Sequence, residues 1–358
     1  MRGILLSAGF SFDARQFYLR QTVLAELGID GQDRLRRSKV AVIGLGGLGT
    51  ASTLYLALAG VGYLRLLDQD TVEMNNLHRQ ILYTLRDLKY PKVEAAAQRI
   101  RETNPEVNVD PRPENLREDN VDEIVRGMDC VVDGLDNMRT RYIVSRACVR
   151  NNVPFIFGGA IGFEGNISVF HPPETPCLEC VLPNLNDQNM PTCDVRGVLG
   201  ATPGVVGTIQ AMEAVKLLAG IGETLKNKLL VCDFKDMYIA TVEIYRRPDC
   251  SICGDQASRA LKMEERMAWL CGRNTVNINP RSPVDLDLER AKDELSRHFG
   301  IVLKSSIVVV FRYVGDVEVS LFKSGRMLVK NVKSEEEALK VYEETLRTLG
   351  IDAPSNRS

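Results

Sequence analysis

The chain has 358 residues, 44% of them hydrophobic, and is long enough for two globular domains. Its 45 basic and 47 acidic residues give a net charge of −2, which provides no general attraction to nucleic acid or to a membrane surface. No apolar run reaches the roughly 20 residues that cross a bilayer. We therefore expect a cytoplasmic globular protein that binds neither membrane nor nucleic acid.

Short apolar runs alternate with helical patterns through the first 160 residues, which is typical of an α/β fold with a doubly wound, Rossmann-like sheet. Predicted strands cover residues 40–43, 64–67, 107–110, 130–136 and 154–157, and predicted helices cover 50–60, 91–104, 117–127 and 138–151. Alternating segments at 162–170 and 228–245 then predict a mixed or antiparallel extension, with an apolar helix at 205–220 between them.

A boundary near residue 254 divides the chain into two predicted domains, 1–254 and 255–358. The second domain reads as a small α+β unit. Its predicted helices cover residues 257–271, 286–298 and 334–348, and its predicted strands cover 274–279, 306–313, 316–322 and 327–330.

A glycine motif follows the first predicted strand, with Gly44, Gly46 and Gly49 in the spacing G-x-G-x-x-G. Glycines there let backbone N–H groups approach a phosphate at the start of a helix. Asp68 lies 24 residues after Gly44, at the end of the next predicted strand, where a carboxylate can accept hydrogen bonds from a ribose. The pattern predicts a nucleotide site, but it leaves open which nucleotide binds.

Further charged residues narrow the choice of nucleotide. Arg79 and Lys92 follow Asp70, and Asp136 ends a predicted strand at the edge where open α/β sheets bind ligands. An acid at that edge could hold Mg²⁺. Two cations and a magnesium acid suit a triphosphate attacked at its α-phosphate better than they suit a dinucleotide. Taken alone, each cation is more typical of a solvated surface residue.

Nine cysteines include two C-x-x-C pairs, Cys177 with Cys180 and Cys250 with Cys253. Two such pairs can complete a tetrahedral zinc site, and four thiolates leave no open position for catalysis. The pattern therefore predicts structural zinc, and the alternative is four unrelated buried cysteines.

Cys193 belongs to neither pair and lies in a Gly-, Pro- and Asn-rich segment at 184–204, close in sequence to Arg196. A neighbouring cation lowers a thiol pKa, so Cys193 is a candidate nucleophile. An inert loop cysteine is the alternative.

Taken together, these motifs resemble the MoeB/ThiF-like family of the ubiquitin-activating enzyme superfamily. The resemblance covers residues 11–254 and makes 1–254 an adenylation domain with a zinc site. Its motifs are residues 17–21, 44–49, 68–70, 76–80, 91–94, 134–137 and 210–214, together with both cysteine pairs.

The resemblance implies that ATP and Mg²⁺ adenylate the C-terminal glycine of a ubiquitin-like or sulfur-carrier protein ending in Gly-Gly. Cys193 would then capture the product as a thioester or persulfide adduct, and a conjugating enzyme or a sulfurtransferase would follow. Arg20 resembles the arginine that reaches the other subunit's nucleotide, which implies a homodimer.

Residue roles also follow from the resemblance. Asp68 resembles the ribose-binding acid and Asp136 the magnesium-binding acid. Asp70, Asn76, Arg79 and Lys92 resemble the groups that contact the triphosphate. The implied catalytic residues are Arg79, Lys92, Asp136 and Cys193; the implied nucleotide-binding set is Arg20, Gly44, Gly46, Gly47, Gly49, Asp68, Asp70, Asn76, Arg79, Gln80, Lys92, Asp136 and Asn137.

The simplest relatives end soon after the second C-x-x-C pair, whereas this chain continues through residues 255–358. These residues are loosely similar to the ubiquitin-fold domain that docks conjugating enzymes, which predicts a small mixed sheet. The alternative is a structural or dimer-supporting appendage. We expect deletion of residues 256–358 to leave adenylation largely intact; complete loss would mean that the appendage supports the active fold.

Three other functions compete with this one. A NAD-dependent Rossmann oxidoreductase would use a similar sheet, although Arg79 and Lys92 disfavour it. A related enzyme could adenylate a small molecule or a tRNA base, and a zinc scaffold could keep the fold without catalysis. Pyrophosphate release with ATP, against an absorbance change with NADH, separates the carrier-activating enzyme from the NAD-dependent oxidoreductase.

Overall fold

The structure is a computed structural model that describes residues 12–183, 185, 187, 197–254, 267–270, 274–278, 280, 286–304, 308–323 and 325–351. Residues up to 254 form nine described α-helices: α1 (Ala14–Phe17), α2 (Leu19–Thr22), α3 (Gly28–Arg37), α4 (Gly47–Ala59), α5 (Lys92–Thr103), α6 (Val121–Val125), α7 (Met138–Asn151), α8 (Leu178–Val181) and α9 (Ala201–Ala219). Their strands are β1 (Lys39–Ile43), β2 (Tyr63–Leu67), β3 (Asn108–Arg112), β4 (Cys130–Asp133), β5 (Phe155–Ile161), β6 (Glu164–Phe170), β7 (Lys228–Asp233) and β8 (Tyr238–Glu243).

These strands form one eight-stranded sheet in the order β3-β2-β1-β4-β5-β6-β7-β8. The first five strands pair in parallel, and β6, β7 and β8 add an antiparallel extension. The predicted doubly wound sheet with its extension is thereby confirmed. The strand order reverses between β1 and β4, and in such sheets the ligand crevice lies at the carboxyl ends of the strands at this switch point.

Alternate residues of β1 enter two different hydrophobic cores. Val40 and Val42 belong to one core, and Ala41 and Ile43 to the other. All four are fully buried because helices cover both faces of the sheet. This burial explains why the strand reads as an unbroken apolar run instead of alternating with polar residues.

A second sheet has six strands in the order β11-β12-β13-β14-β10-β9. Its strands are β9 (Met267–Leu270), β10 (Thr275–Ile278), β11 (Gly300–Lys304), β12 (Val308–Arg312), β13 (Glu318–Phe322) and β14 (Met327–Lys330), and its helices are α10 (Leu288–Ser296) and α11 (Glu335–Thr348). Leu295 of α10 and Tyr342 of α11 pack in one core with Val309 and Val329 of the sheet. A second buried cluster comprises Val308, Val310, Phe322 and Leu328.

Two expectations for this C-terminal part were wrong, and one strand was not predicted. Every described pairing of the six strands is antiparallel, so the sheet is not mixed. Residues 267–270, expected to end a helix, form β9 and pair with β10; residues 257–266 of that expected helix lie outside the described residues. Strand β11 was missed. A short apolar run in a sequence does not distinguish a helix from a strand. Here hydrogen bonding to a neighbouring strand makes both segments strands.

Within the described part of the chain, none of the helices combines the length and apolar character needed to cross a bilayer.

Candidate active site

The glycine turn joins β1 to α4 and packs tightly against the loop that follows β4. Gly44 has φ +88°, and a Cβ on it would lie 2.6 Å from the carbonyl oxygen of Gly134. A Cβ on Gly49 would lie 1.8 Å from the carbonyl oxygen of Gly44. Gly46 is the N-cap of α4 and has no side chain to cap its first N–H groups. The turn therefore offers a helix N-terminus to an anion at the switch point of the sheet.

Two carboxylates and a lysine lie beside this turn. The Asp68 carboxylate accepts hydrogen bonds from the backbone N–H groups of Leu45 and Asp70, both at 2.7 Å. Lys92 Nζ lies 2.9 Å from Oδ2 of Asp70 and 3.8 Å from Oδ2 of Asp68. Burial raises the pKa of Asp68, the Lys92 ammonium lowers it, and the neighbouring Asp70 raises it. Lys92 is only 2% exposed, so this pairing holds a cation inside the crevice.

The segment from Asn76 to Gln80 lies against the same turn. Asn76 is buried and donates a hydrogen bond from its amide to Oδ1 of Asn75 at 3.0 Å. Arg79 donates to the carbonyl oxygen of Asn75 at 2.8 Å. A Cβ on Gly47 would lie 3.6 Å from Cγ of Arg79, which places the arginine stem beside the start of α4. Gln80 is 1% exposed.

Asp136 lies beyond β4 and not at its end as expected, because the strand stops at Asp133. Asp136 is exposed and accepts a hydrogen bond from Nδ2 of Asn137 at 3.2 Å. Asn137 is the N-cap of α7 and accepts the N–H of Thr140 at 2.9 Å. Since Gly134 contacts Gly44, the loop that carries Asp136 lies next to the glycine turn.

A buried ion pair supports this loop, and the sequence did not reveal it. Oδ2 of Asp133 lies 2.7 Å from Nε of Arg141, and both side chains are buried. Arg141 also donates to the carbonyl oxygens of Leu135 and Gly158, at 2.6 and 3.0 Å. Burial raises the pKa of Asp133, while the Arg141 charge opposes that shift. Gln210 of α9 adds a hydrogen bond from its amide to the carbonyl oxygen of Asp133 at 2.8 Å.

Cys193 and Arg196 lie outside the described residues, but both flanks of their segment contact the site. On one side, Asp187 accepts the N–H groups of Met138 and Arg139, at 2.6 and 3.0 Å, at the start of α7. On the other, a Cβ on Gly200 would lie 2.3 Å from the carbonyl oxygen of His78. The described residues Asp187 and Gly200, which flank the segment that carries Cys193, therefore both lie next to the site. Arg20 is exposed on α2.

The two C-x-x-C pairs meet in one cluster. Sγ of Cys177 lies 3.8 Å from that of Cys180 and 3.6 Å from that of Cys250, and Cys180 lies 3.5 Å from Cys253. Sulfurs bound at about 2.3 Å to a tetrahedral zinc would be about 3.8 Å apart. The four sulfurs therefore fit zinc.

The thiols of this cluster also differ in acidity. A hydrogen bond from Cys177 lowers the pKa of Cys253 to about 5, whereas burial raises the pKa of Cys180 to about 11. The backbone N–H of Arg247 donates to Cys180 at 3.4 Å, which is the kind of support that metal-bound thiolates receive.

Known proteins resemble the part of the chain that forms the first sheet. A family model described as the ThiF family matches residues 18–252. The sulfur carrier protein adenylyltransferase of Thermus thermophilus is 41% identical over 248 residues, which cover 68% of this chain and 92% of that protein. The SAMP-activating enzyme E1 of Haloferax volcanii is 42% identical over the same shares of both chains.

Solved structures agree on the fold. A crystal structure of Escherichia coli MccB together with MccA-N7isoASN aligns with a TM-score of 0.58 at 24% identity, covering 63% of this chain and 70% of that one. The family model ends at residue 252, before the second sheet begins.

Proposed function

We propose, from the premise that this chain belongs to the ThiF family, that it uses ATP to adenylate the C-terminal carboxylate of a ubiquitin-like or sulfur-carrier protein ending in Gly-Gly. The observation that carries the proposal is the buried Lys92, paired with Asp70 beside the glycine turn. A hydride-transfer site for NAD has no need of such a cation, whereas phosphoryl chemistry does.

In this reaction a carboxylate oxygen of the carrier protein attacks the α-phosphorus of ATP. A bond from that oxygen to phosphorus forms, the bond to the β-phosphate breaks, and pyrophosphate leaves. Lys92 and Arg79 would offset the negative charge that develops on the phosphates. The N-terminus of α4, which lies within the Gly44–Gly49 motif, would receive the phosphates, and Asp68 would orient the ribose.

The remaining groups support this chemistry. Asp136 is an exposed oxygen ligand beside the turn, and it would hold Mg²⁺, which neutralises phosphate charge. The four cysteines would hold a structural zinc with no open position. We assign residues 1–254 to the adenylation domain and 255–358 to a separate C-terminal domain.

We further propose that Cys193 captures the activated carrier. Its thiolate would attack the acyl carbon of the adenylate, form the sulfur–carbon bond and release AMP. In the sulfur-transfer version, a sulfurtransferase would donate sulfane sulfur to make a persulfide on the same cysteine, and the terminal sulfur would attack the acyl carbon, release AMP and leave an acyl disulfide. The names of the relatives support a sulfur carrier as the partner. We also propose a homodimer, in which Arg20 of one subunit reaches the nucleotide bound to the other subunit.

The decisive experiment is ATP–pyrophosphate exchange with and without a small Gly-Gly carrier. We expect exchange that depends on the carrier and stops when its final glycine is removed. Exchange with a small molecule or tRNA in place of the carrier would assign another substrate. An NADH absorbance change without exchange would reject the proposal.

A further inference from the structure

The hairpin of β13 and β14 in the second sheet contacts the loop between β2 and α5. Arg326, in the turn of this hairpin, donates from Nη2 to the carbonyl oxygen of Gln69 at 2.7 Å. Lys330 of β14 donates to Thr71 at 3.0 Å and to the Glu73 carboxylate at 2.6 Å.

The opposite end of the same loop also contacts the hairpin. Lys89 Nζ lies 2.8 and 3.0 Å from the two carboxylate oxygens of Glu318 on β13. Four residue pairs therefore connect the hairpin to the segment from Gln69 to Lys89, and this segment carries Asp70, Asn76, Arg79 and Gln80.

Arg326 is held firmly within its own unit. It is only 2% exposed, and its guanidinium carbon lies 3.6 Å from the centroid of the Phe322 ring. Nη1 donates to Oδ1 of Asn277 on β10 at 3.1 Å. With both anchors in the second sheet, the guanidinium reaches Gln69 in a defined position.

In the sequence, Gln69 lies between Asp68 and Asp70, the two acids of the nucleotide site. Burial lowers the pKa of Arg326 to about 9, and the carboxylates of Asp70 and Asp68 act against that shift. Arg326 therefore remains charged at neutral pH. Together with Lys92 of α5, it balances the two carboxylates, so one cation of this buried group comes from the N-terminal part of the chain and the other from the C-terminal unit.

We propose that Arg326 is a positioning residue of the nucleotide site: it fixes the Asp68–Asp70 turn through the Gln69 carbonyl and makes the C-terminal unit part of ATP binding. This inference rests on the proposed adenylation function. It changes the expectation that residues 256–358 can be deleted without loss of adenylation.

Three variants test the role of Arg326. We expect Arg326→Met to raise KM for ATP about tenfold and to change kcat less than about threefold in the exchange assay, since it removes positioning and not a reacting group. Arg326→Lys should recover part of the loss because it restores the charge without the fork of two donors. Lys304→Met is the matched control: it removes an ion pair with Glu289 that lies within the second sheet's own unit, and KM for ATP should not change.

Exchanging the two charges of the Lys89–Glu318 ion pair tests the contact between the hairpin and the loop without changing a buried residue. We expect Lys89→Glu and Glu318→Lys each to raise KM for ATP, and the double variant to recover part of the loss, since Glu318 also lies 3.6 Å from Lys330 Nζ. Additive losses in the double variant would overturn the inference, as would a folded Arg326→Met protein with unchanged KM.

The wild-type protein separates the two proposals. If it neither binds ATP nor exchanges pyrophosphate, the adenylation proposal fails and the positioning role falls with it. If wild type is active and Arg326→Met matches it, only the positioning role is rejected.

Discussion

Lys92 Nζ lies 2.9 Å from Oδ2 of Asp70, and the lysine side chain is almost completely buried. A buried ammonium of this kind is stabilised by its acid partner. The ammonium can contact a phosphate only if that phosphate lies in the crevice. Burial and partner together distinguish Lys92 from the surface lysines of the chain.

We expect Lys92→Met to lower kcat/KM for pyrophosphate exchange by about a hundredfold or more, because a prepositioned cation is lost from the transition state. Lys92→Arg should not restore the rate, since a planar guanidinium cannot replace a compact ammonium in a buried site. The control is Lys226→Met, which removes the partly exposed pair with Glu174 at 2.6 Å and should leave exchange unchanged.

Asp133 and Asp136 are three residues apart, and we expect opposite results from them. Asp136→Ala should abolish exchange and leave the free energy of unfolding almost unchanged, because the side chain is exposed. Asp133→Asn should destabilise the fold by about 3 kcal/mol, since it leaves Arg141 buried without its charge partner. Urea unfolding and exchange assays on both variants measure the contrast; normal exchange in folded Asp136→Ala would remove the magnesium assignment.

Asp68 should make the nucleotide-free protein less stable as pH rises. Its pKa is raised in the folded state above the ordinary value of 3.8, so the folded state binds the proton more tightly than the unfolded chain does. The associated stability is complete below about pH 3.8 and is lost as pH increases through the folded-state pKa. Urea unfolding from acidic to neutral pH should show this loss in wild type and not in Asp68→Asn. Equal pH slopes in the two proteins would contradict the prediction.

Metal analysis should find about one zinc per chain, because four clustered thiolates form a closed tetrahedral site. Cys250→Ser should lose the metal and lower the thermal stability. The control is Cys232→Ala, which removes a buried cysteine that packs in another cluster with Leu48 and Ile167 and should keep the zinc. A folded wild-type protein without zinc would reject the assignment.

Cys193→Ala should retain pyrophosphate exchange and lose any dithiothreitol-sensitive adduct with the carrier, because capture follows adenylation. Intact-mass measurement under non-reducing conditions detects the adduct. If the adduct persists in this variant, another cysteine is the acceptor.

Local sequence patterns predicted much of this molecule. The glycine turn and the C-x-x-C pairs are recognisable because their function requires fixed spacing over a few residues. The parallel, doubly wound arrangement of the first five strands followed from the alternation of strands and helices. Boundaries were less accurate, as at β4, which ends at Asp133 and not at Asp136.

Contacts between distant residues could not be predicted in this way. The Asp133–Arg141 pair and the capping of α7 by Asp187 depend on how loops pack after the sheet forms. The hydrogen bond from Arg326 to Gln69 joins positions 257 residues apart. An arginine in a hairpin turn has no local pattern that would relate it to a nucleotide site.

The cysteine cluster also has a topological consequence. Cys177 and Cys250 meet although they are 73 residues apart, and the chain between them includes Cys193, α9, β7 and β8. With zinc bound, this stretch becomes a closed ring in which metal–sulfur bonds complete the circuit. A single backbone cleavage within the ring would then leave both fragments joined through the metal, and a chelator would remove that link.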